Sequence, residues 1–233
     1  MKLKALLLAT ALISGAPAIA SAQEATTIVN FGIANNYIFR GADQNPFDGS
    51  LNGMQVFGGA DVSYGNFYVG TWASNVDYGK AQFEIDTYVG FKPKLGPVTL
   101  DLGVLAYFYP QDQDNNIIEV KAAASVANEA GMSLTGSLFY SPEGSEFTDG
   151  YLYGEISGSA AIPGAKLGPF AFSVNGAIGS QAFDNGLGDY NNWKVGVTAA
   201  TESGWAIDVF YTDTDLDAFG YDQATTVQLK RTF

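Results

Sequence analysis

The final ten residues, ATTVQLKRTF at positions 224–233, place Val227 and Leu229 on one face of an extended chain and end on Phe233. Apolar and polar residues that alternate with period two indicate a β-strand whose two faces lie in different surroundings. A terminal aromatic residue after this pattern is typical of the last strand of a bacterial outer-membrane barrel. We therefore expect a barrel that the barrel-assembly machinery recognises through the strand ending at Phe233.

The opposite end of the chain has the three parts of a secretory signal peptide. Two early lysines precede an apolar run over residues 5–13, and the small residues 20–22 form a cleavage site. The apolar run is too short to span a bilayer as a helix, which needs about 20 residues. We predict a signal peptide over residues 1–22, cleaved after Ala22, and a barrel domain over residues 23–233 in the bacterial outer membrane.

The composition excludes several classes of function. The chain has 24 acidic and 11 basic residues, a net charge of −13, and neither cysteine nor histidine. An acidic chain lacks the basic patch that nucleic acid requires. Without histidine there is no Ser–His or Cys–His pair and no imidazole metal ligand. We therefore expect no nucleic-acid partner, no cofactor and no enzymatic activity.

Alternation of apolar and polar residues recurs in runs of about ten from Thr27 onward. Runs of this length fit tilted strands that cross a bilayer, and no later segment is apolar enough to cross as a helix. The sequence predicts an all-β fold, a transmembrane antiparallel up-and-down β-barrel of about 12 strands. The predicted strands begin near residues 27, 53, 67, 82, 97, 117, 131, 151, 169, 192, 204 and 224.

The predicted connections alternate in length, as expected for short periplasmic turns and longer external loops. The tight connections are 65–66, 92–96, 129–131, 163–168 and 202–204, and the longer ones are 41–52, 78–81, 110–116, 142–150, 181–191 and 216–223. An even number of strands places both termini at the short-turn rim. The alternative is a secreted β-sandwich, whose loops need not alternate in this way.

Charged and aromatic residues support the same orientation. With the apolar faces turned outward, the strand charges point into the lumen, and Arg231 is an outward exception beside the terminus. Aromatic residues form two girdles, as membrane interfaces favour. At the short-turn rim we place Tyr64, Phe67, Phe91, Phe170, Trp205 and Phe233, and at the long-loop rim Tyr37, Phe39, Phe83, Phe108, Tyr140 and Trp193.

Several motifs resemble one known family. They are YIFRG at 37–41, GTWASNVD at 70–77, EIDTYVG at 84–90, YFYP at 107–110, FYSP at 139–142, DYNNWKVG at 189–196 and YTDTD at 211–215. From about Thr27 to Phe233 the chain resembles the TorF family of proteobacterial outer-membrane porins. The resemblance implies an outer-membrane barrel and suggests a pore, without naming a substrate.

A barrel of twelve strands is intermediate between filled small barrels and wide porins. Small inward residues leave room in its lumen. The predicted pore-lining residues are Trp72, Glu84, Asp86, Tyr88, Asp101, Tyr107, Glu119, Lys121, Glu155, Lys194, Asp208 and Lys230. Facing acids and bases in such a set either select solutes by charge or stiffen the wall as internal ion pairs.

Hairpin registers estimated from loop centres bring some of these residues together. Trp72 is predicted to lie beside Asp86, and Tyr88 opposite Asp101. Glu84, Leu105 and Lys121 are predicted to form one row, and Asp208 to face Lys230. The pair of acids Asp86 and Asp101, with no obvious base, is predicted either to attract cations or to be screened by water.

The loop DTDLD at 213–217 is too irregular for an EF-hand, since Ala218 occupies the sixth position and Ala224 the twelfth. It is either a solvated acidic loop or a weak divalent-cation site that bridges lipopolysaccharide.

For the whole chain, the leading hypothesis is a channel for passive, weakly cation-preferring diffusion of small hydrophilic solutes or ions. The alternative is a non-transporting structural or surface-interaction barrel. Outer-membrane lipid and lipopolysaccharide are the expected surroundings in both cases.

Overall fold

The computed structural model describes residues 24–46, 53–78, 80–144, 150–184 and 188–233. The predicted signal peptide therefore lies outside the described residues, as do parts of four predicted external loops. Among the described residues, no helix has the length and apolarity needed to cross a membrane.

The described chain consists almost entirely of β-strands. They are β1 (Thr26–Ala34), β2 (Ile38–Phe39), β3 (Ala42–Asp43), β4 (Gln55–Tyr64), β5 (Phe67–Tyr78), β6 (Ala81–Phe91), β7 (Lys94–Leu95), β8 (Val98–Phe108), β9 (Ile117–Ala127), β10 (Met132–Ser141), β11 (Tyr151–Leu167), β12 (Phe170–Phe183), β13 (Tyr190–Ala200), β14 (Trp205–Thr214) and β15 (Ala224–Thr232). One 3₁₀ turn, Gln113–Asn115, lies between β8 and β9.

Twelve long strands close into one antiparallel barrel. Each pairs with its neighbours in sequence, and β1 pairs with both β4 and β15, with Asn30 opposite Thr232 and Ala34 opposite Gln228. Closure removes the unpaired edges that an open sheet would expose. We call the pairing of β1 with β15, which closes the barrel, the seam. The terminal residue extends the seam, because the Phe233 amide donates to the Val29 carbonyl at 2.9 Å. The predicted fold class is confirmed.

The two faces of the wall differ as a membrane barrel requires. Apolar residues such as Phe31, Val69 and Val195 are exposed on the outside, whereas charged residues such as Glu119 and Asp208 are buried inside. Lipid accepts the apolar outer face, and a charge on that face would cost roughly 2–4 kcal/mol at the bilayer midplane. Period-two alternation thus decides both the strand conformation and which face each residue occupies.

All twelve predicted strand starts fall within two residues of those in the structure. Three predicted connections were wrong. The connection at 92–96 is partly strand, since Lys94 and Leu95 form β7 and pair with β8, and the turn comes after Leu95. Residues 163–168 are not a turn: β11 continues through a bulge between Ala161 and Lys166, and the turn comes after Leu167. Pro163 fits this bulge, because proline has no N–H to donate and a bulge interrupts the ladder. The connection at 78–81 is not long, since Tyr78 pairs directly with Ala81.

Residues 35–46, which follow β1, fold into the barrel. We call them the inward loop. Within it, β2 and β3 form a small hairpin, with Ile38 opposite Asp43, and its two turn residues, Arg40 and Gly41, have positive φ angles of 50° and 84°. Positive φ at both turn positions is the requirement of a type I′ hairpin. This tight turn directs the Arg40 side chain into the lumen.

Candidate functional site

Arg40 is the centre of the contacts between the inward loop and the barrel wall. Its Nη1 donates to Glu119 Oε1 at 2.6 Å and its Nη2 donates to Glu119 Oε2 at 3.0 Å. The guanidinium carbon lies 4.6 Å from the centre of the Phe139 ring and 4.2 Å from that of Tyr153. Bidentate ion pairs of this kind fix orientation as well as distance, and the aromatic faces add cation–π attraction.

The groups around Arg40 stabilise its positive charge. Burial alone would lower the pKa of Arg40, but the Glu119 carboxylate outweighs it and the pKa is raised above its ordinary value. Glu119 also accepts hydrogen bonds from Tyr107 Oη and Tyr151 Oη, each at 2.8 Å. A buried carboxylate with four donors is fully satisfied, and the removal of any donor leaves it short of a partner.

A second carboxylate holds the start of the inward loop. Tyr37 Oη donates to Glu84 Oε1 at 2.8 Å, and Tyr109 Oη donates to Glu84 Oε2 at 2.9 Å. Tyr37 also packs edge-on against Trp72, with ring centres 5.6 Å apart. Tyr37 is therefore a lumen residue, and its predicted place in the long-loop girdle was wrong. Phe39 packs on the same buried cluster, and the girdle prediction was wrong for it as well.

Hydrogen bonds to and from the backbone of the inward loop tie it to the barrel mouth on both sides of β1. The Asp43 amide donates to the Gly220 carbonyl at 2.7 Å, and the Asp77 amide donates to the Gln44 carbonyl at 2.8 Å. Tyr190 Oη donates to the Arg40 carbonyl at 3.1 Å. These contacts lie on several strands around the mouth, so the loop reaches across the lumen at its long-loop end.

Beneath the inward loop, a cavity of about 640 Å³ extends toward the short-turn rim. Small polar residues on β9, β10 and β11, such as Ser125, Thr135 and Ser157, form one side of it. Their size leaves space that larger side chains would fill. The cavity falls in the range of about 300–1,000 Å³ that is usual for small-molecule sites.

Tyrosines and carboxylates pair along the wall of this cavity. Tyr68 Oη donates to Asp101 Oδ1 at 2.7 Å, and Tyr88 Oη donates to Asp61 Oδ1 at 2.7 Å. Lys121 Nζ lies 2.5 Å from Asp101 Oδ2. The prediction that Asp101 lacks a base was therefore wrong, and Lys92 Nζ also approaches the same oxygen at 3.5 Å. Each of these carboxylates is held by a donor that lies one or two strands away.

Asp86 is the exception among the inward carboxylates of the described chain. Its side chain lines the cavity, yet its Oδ1 is buried without a hydrogen-bond partner. It lies directly opposite Trp72 on β5 and Tyr107 on β8.

The structure brings most of the predicted site residues to this cavity. Eight of the twelve line it, namely Trp72, Asp86, Tyr88, Asp101, Tyr107, Lys121, Glu155 and Lys194. The other four lie elsewhere on the inner wall. Glu84 and Glu119 are buried under the inward loop. Asp208 and Lys230 form an ion pair, with Lys230 Nζ 3.2 Å from Asp208 Oδ2.

Of the four predicted placements, one register was right, two were wrong, and the contact of Asp208 with Lys230 forms although its register is shifted by two residues. Trp72 pairs with Asp86, as predicted. Tyr88, however, faces Leu105 rather than Asp101. Leu105 faces Glu119, so Glu84, Leu105 and Lys121 do not form a row. Asp208 faces Gln228, and its ion pair with Lys230 is diagonal.

Sequence reasoning missed the residues that reach into the lumen at the long-loop end, above all Arg40. One signal was present: the segment YIFRGA at 37–42 places an arginine among apolar residues, a composition unlike that of a solvated loop. The tyrosine donors Tyr68, Tyr109, Tyr151 and Tyr153 were also missed. Their pairing depends on barrel stagger, which the sequence pattern does not carry.

The acidic loop at 213–217 has a structural use. The Asp215 carboxylate accepts from the Asn191 amide at 2.6 Å and from Asn191 Nδ2 at 2.7 Å, which lowers the pKa of Asp215. Asp213 Oδ2 accepts from Tyr211 Oη at 2.9 Å. The described residues contain no cluster of three or more acidic side chains that could hold a metal ion. Asp215 thus links the connection after β14 to the start of β13.

A closed antiparallel wall with an apolar exterior, a polar interior and an inward loop defines a membrane-spanning β-barrel of the porin type. The chain belongs to the Gcw_chp family, described as bacterial proteins of unknown function, whose model matches residues 18–233. A comparison with curated proteins finds no match.

Two solved structures share the fold at very low sequence identity. A KdgM porin superposes with a TM-score of 0.57 at 8% identity, over 88% of this chain and 98% of that one. A NanC porin superposes with a TM-score of 0.52 at 11% identity, over 89% of this chain and 99% of that one. At such low identities, the similarity shows a shared fold.

Proposed function

We propose that this protein is a porin-like channel for passive diffusion of small hydrophilic solutes or ions, narrowed by its inward loop. The observation that carries the proposal is the cavity of about 640 Å³ inside a closed barrel, directly beneath Arg40 and lined in part by small serines and threonines. A barrel that served only as a wall would gain stability from a packed interior. Here small serines and threonines keep part of the interior open.

The charges of the lumen support a weak preference for cations. Seven carboxylates point inward from the described wall: Asp61, Glu84, Asp86, Asp101, Glu119, Glu155 and Asp208. Five cations accompany them, namely Arg40, Lys92, Lys121, Lys194 and Lys230. Ion pairs involve Asp101, Glu119 and Asp208. Outside these pairs, four carboxylates are accompanied by one lysine, Lys194. The lumen therefore carries an excess of negative charge, which attracts cations more than anions.

The proposal includes a location and partners. An apolar outer face requires lipid, and export by a signal peptide cleaved after Ala22 would deliver the chain to the outer membrane of a Gram-negative cell. The strand that ends at Phe233 would be recognised there by the barrel-assembly machinery, and lipopolysaccharide would surround the external loops. Membership of the TorF porins is part of this proposal, since the resemblance covers nearly the whole predicted domain.

A structural or surface-interaction barrel is the second candidate. One observation favours it: the inward loop is fastened at both Glu84 and Glu119, which would leave the long-loop end closed. In that case the external loops would carry the function. Both candidates lack a catalytic step, and the absence of histidine agrees with this.

Conductance of the refolded mature protein in a planar bilayer separates the two candidates. The channel predicts discrete current steps and, under a salt gradient, a reversal potential of the sign that cation preference requires. A folded protein that inserts without conducting would favour the structural barrel. Insertion is verified by protease protection of the reconstituted protein, so that a silent bilayer is informative.

A further inference from the structure

Asp86 lies at the middle of β6, half-way along the barrel wall. The other six inward carboxylates of the described wall each accept a hydrogen bond from a side chain, and three of them also pair with a cation. Asp86 has neither kind of partner, and its Oδ1 is buried. A carboxylate in this position costs free energy unless a cation or water compensates it.

Aromatic side chains surround Asp86 on the cavity wall. Trp72 is its cross-strand neighbour on one side and Tyr107 on the other. Side chains directly opposite in an antiparallel pair have Cβ atoms about 4.5–5.5 Å apart. Tyr88, two residues along the same strand, points to the same face and also lines the cavity.

The Trp72 ring is held in place from two sides. Tyr37 packs edge-on against it with ring centres 5.6 Å apart, and Phe57 lies 6.0 Å away. Its neighbour on β4 is Gly59, which has no side chain to cover the ring. A fixed indole beside an unpaired carboxylate is the combination that attracts organic cations, because the ring face and the carboxylate both stabilise positive charge.

From this arrangement we infer that the Asp86 region is a binding site for small organic cations, such as primary amines and quaternary ammonium compounds. Asp86 supplies the counter-charge, and Trp72 with Tyr107 supplies the aromatic walls. An inorganic cation would use Asp86 alone, whereas an ammonium group with attached carbon also gains contact with the rings. This inference adds a class of solute to the proposed channel function. It rests on that proposal for the idea that such solutes pass through the lumen.

The matched control is Glu155, which lines the same cavity four strands along the wall. Glu155 accepts from Tyr153 Oη at 3.0 Å, and a glutamine amide oxygen can accept the same bond. Glu155→Gln therefore removes one lumen charge, as Asp86→Asn does, without touching the aromatic site. The pair separates a specific site from a general effect of net charge.

The test uses choline as the probe and two readouts on the refolded full barrel. Isothermal titration in detergent measures binding, and single-channel recording measures block of current. We expect saturable choline binding that weakens at least tenfold in Asp86→Asn, several-fold in Trp72→Leu, less in Trp72→Phe, and less than twofold in Glu155→Gln. Current block should follow the same order. A boiled-against-unboiled gel shift verifies that each variant is folded.

Absence of saturable choline binding to the folded wild type would overturn the inference, and so would equal losses in Asp86→Asn and Glu155→Gln. The two proposals fail differently. A conducting channel without choline binding rejects the site and keeps the channel. Choline binding in detergent with a silent bilayer rejects the channel and keeps a ligand site.

Discussion

At the residue scale, Arg40 joins the inward loop to the barrel wall through an ion pair and aromatic contacts. It occupies the first turn position of a type I′ hairpin, where a residue with a side chain is strained by roughly 1–2 kcal/mol. The bidentate pair with Glu119 and the aromatic rings around it compensate that strain. The Arg40 side chain is therefore one of the main contacts that hold the inward loop across the lumen.

Arg40→Ala should open the long-loop end. Without the guanidinium, the hairpin loses its contact with β9, and Glu119 is left buried beside Tyr107 without a counter-charge. Loss of one partner of a buried ion pair costs about 3–5 kcal/mol, so the free energy of unfolding should fall by that order in urea titrations. Single-channel conductance should rise several-fold.

The control for Arg40 is Arg231→Ala. Arg231 also contacts aromatic rings, 4.4 Å from the centre of Phe233, but it lies on the outward face at the seam. Its loss should leave conductance unchanged. The double variant Arg40→Ala with Glu119→Gln should regain part of the stability while keeping the raised conductance. An Arg40→Ala channel with wild-type conductance would contradict the assignment of the inward loop as the constriction.

At the element scale, inward aromatic residues lie over glycines on neighbouring strands. Tyr68 faces Gly90 and Tyr88 faces Gly70 in the β5–β6 pairing. A Cβ added at Gly90 would collide with the Tyr68 ring, and one at Gly70 with Tyr88. These glycines allow each tyrosine to lie along the wall and reach a carboxylate further around the barrel.

Gly90→Ala should therefore destabilise the barrel by about 1–3 kcal/mol, the usual cost of overpacking. It should also displace Tyr68 from Asp101. The matched control is Gly136→Ala on the outward face of β10, where an added Cβ meets no atom within 4 Å. Urea titration followed by tryptophan fluorescence measures both. Equal stability of the two variants would show that the glycine positions do not seat the tyrosines.

A disulfide can test how the inward loop is fastened. The Asp77 amide bonds to the Gln44 carbonyl, so the two backbones lie within the range in which disulfides form. In the Arg40→Ala background, Gln44→Cys with Asp77→Cys should return conductance toward the wild-type value when oxidised and release it on reduction. The chain has no cysteine of its own, so the single Gln44→Cys variant is a clean control. A disulfide that forms without changing conductance would contradict the role of the inward loop as the constriction.

The sequence predicted the strands well and their registers poorly, for a physical reason. Alternation is a local property, so strand starts follow from it directly. Register depends on the turn centre, and an error there is doubled across the hairpin. The ladder of β6 continues through Lys94 and Leu95 before turning, which places Tyr88 opposite Leu105 instead of Asp101. The inward loop was missed because no periodicity marks a segment that folds back into a lumen.

At the scale of the whole molecule, closure joins the first and last strands and leaves no free edge. Phe31, Trp205 and Phe233 pack together at this seam, with the Phe31 and Phe233 rings 5.9 Å apart. Closed barrels unfold only when many strand pairs separate together. The barrel should therefore migrate differently on a gel in boiled and unboiled detergent samples. Identical mobility, with solubility in the absence of detergent, would contradict a membrane barrel.

The most direct test of the channel is single-channel conductance of the refolded mature protein in a planar bilayer under a salt gradient. The account predicts discrete steps with mild cation selectivity, and larger steps in Arg40→Ala. A silent bilayer that contains folded, inserted protein, for the wild type and for Arg40→Ala alike, would contradict it.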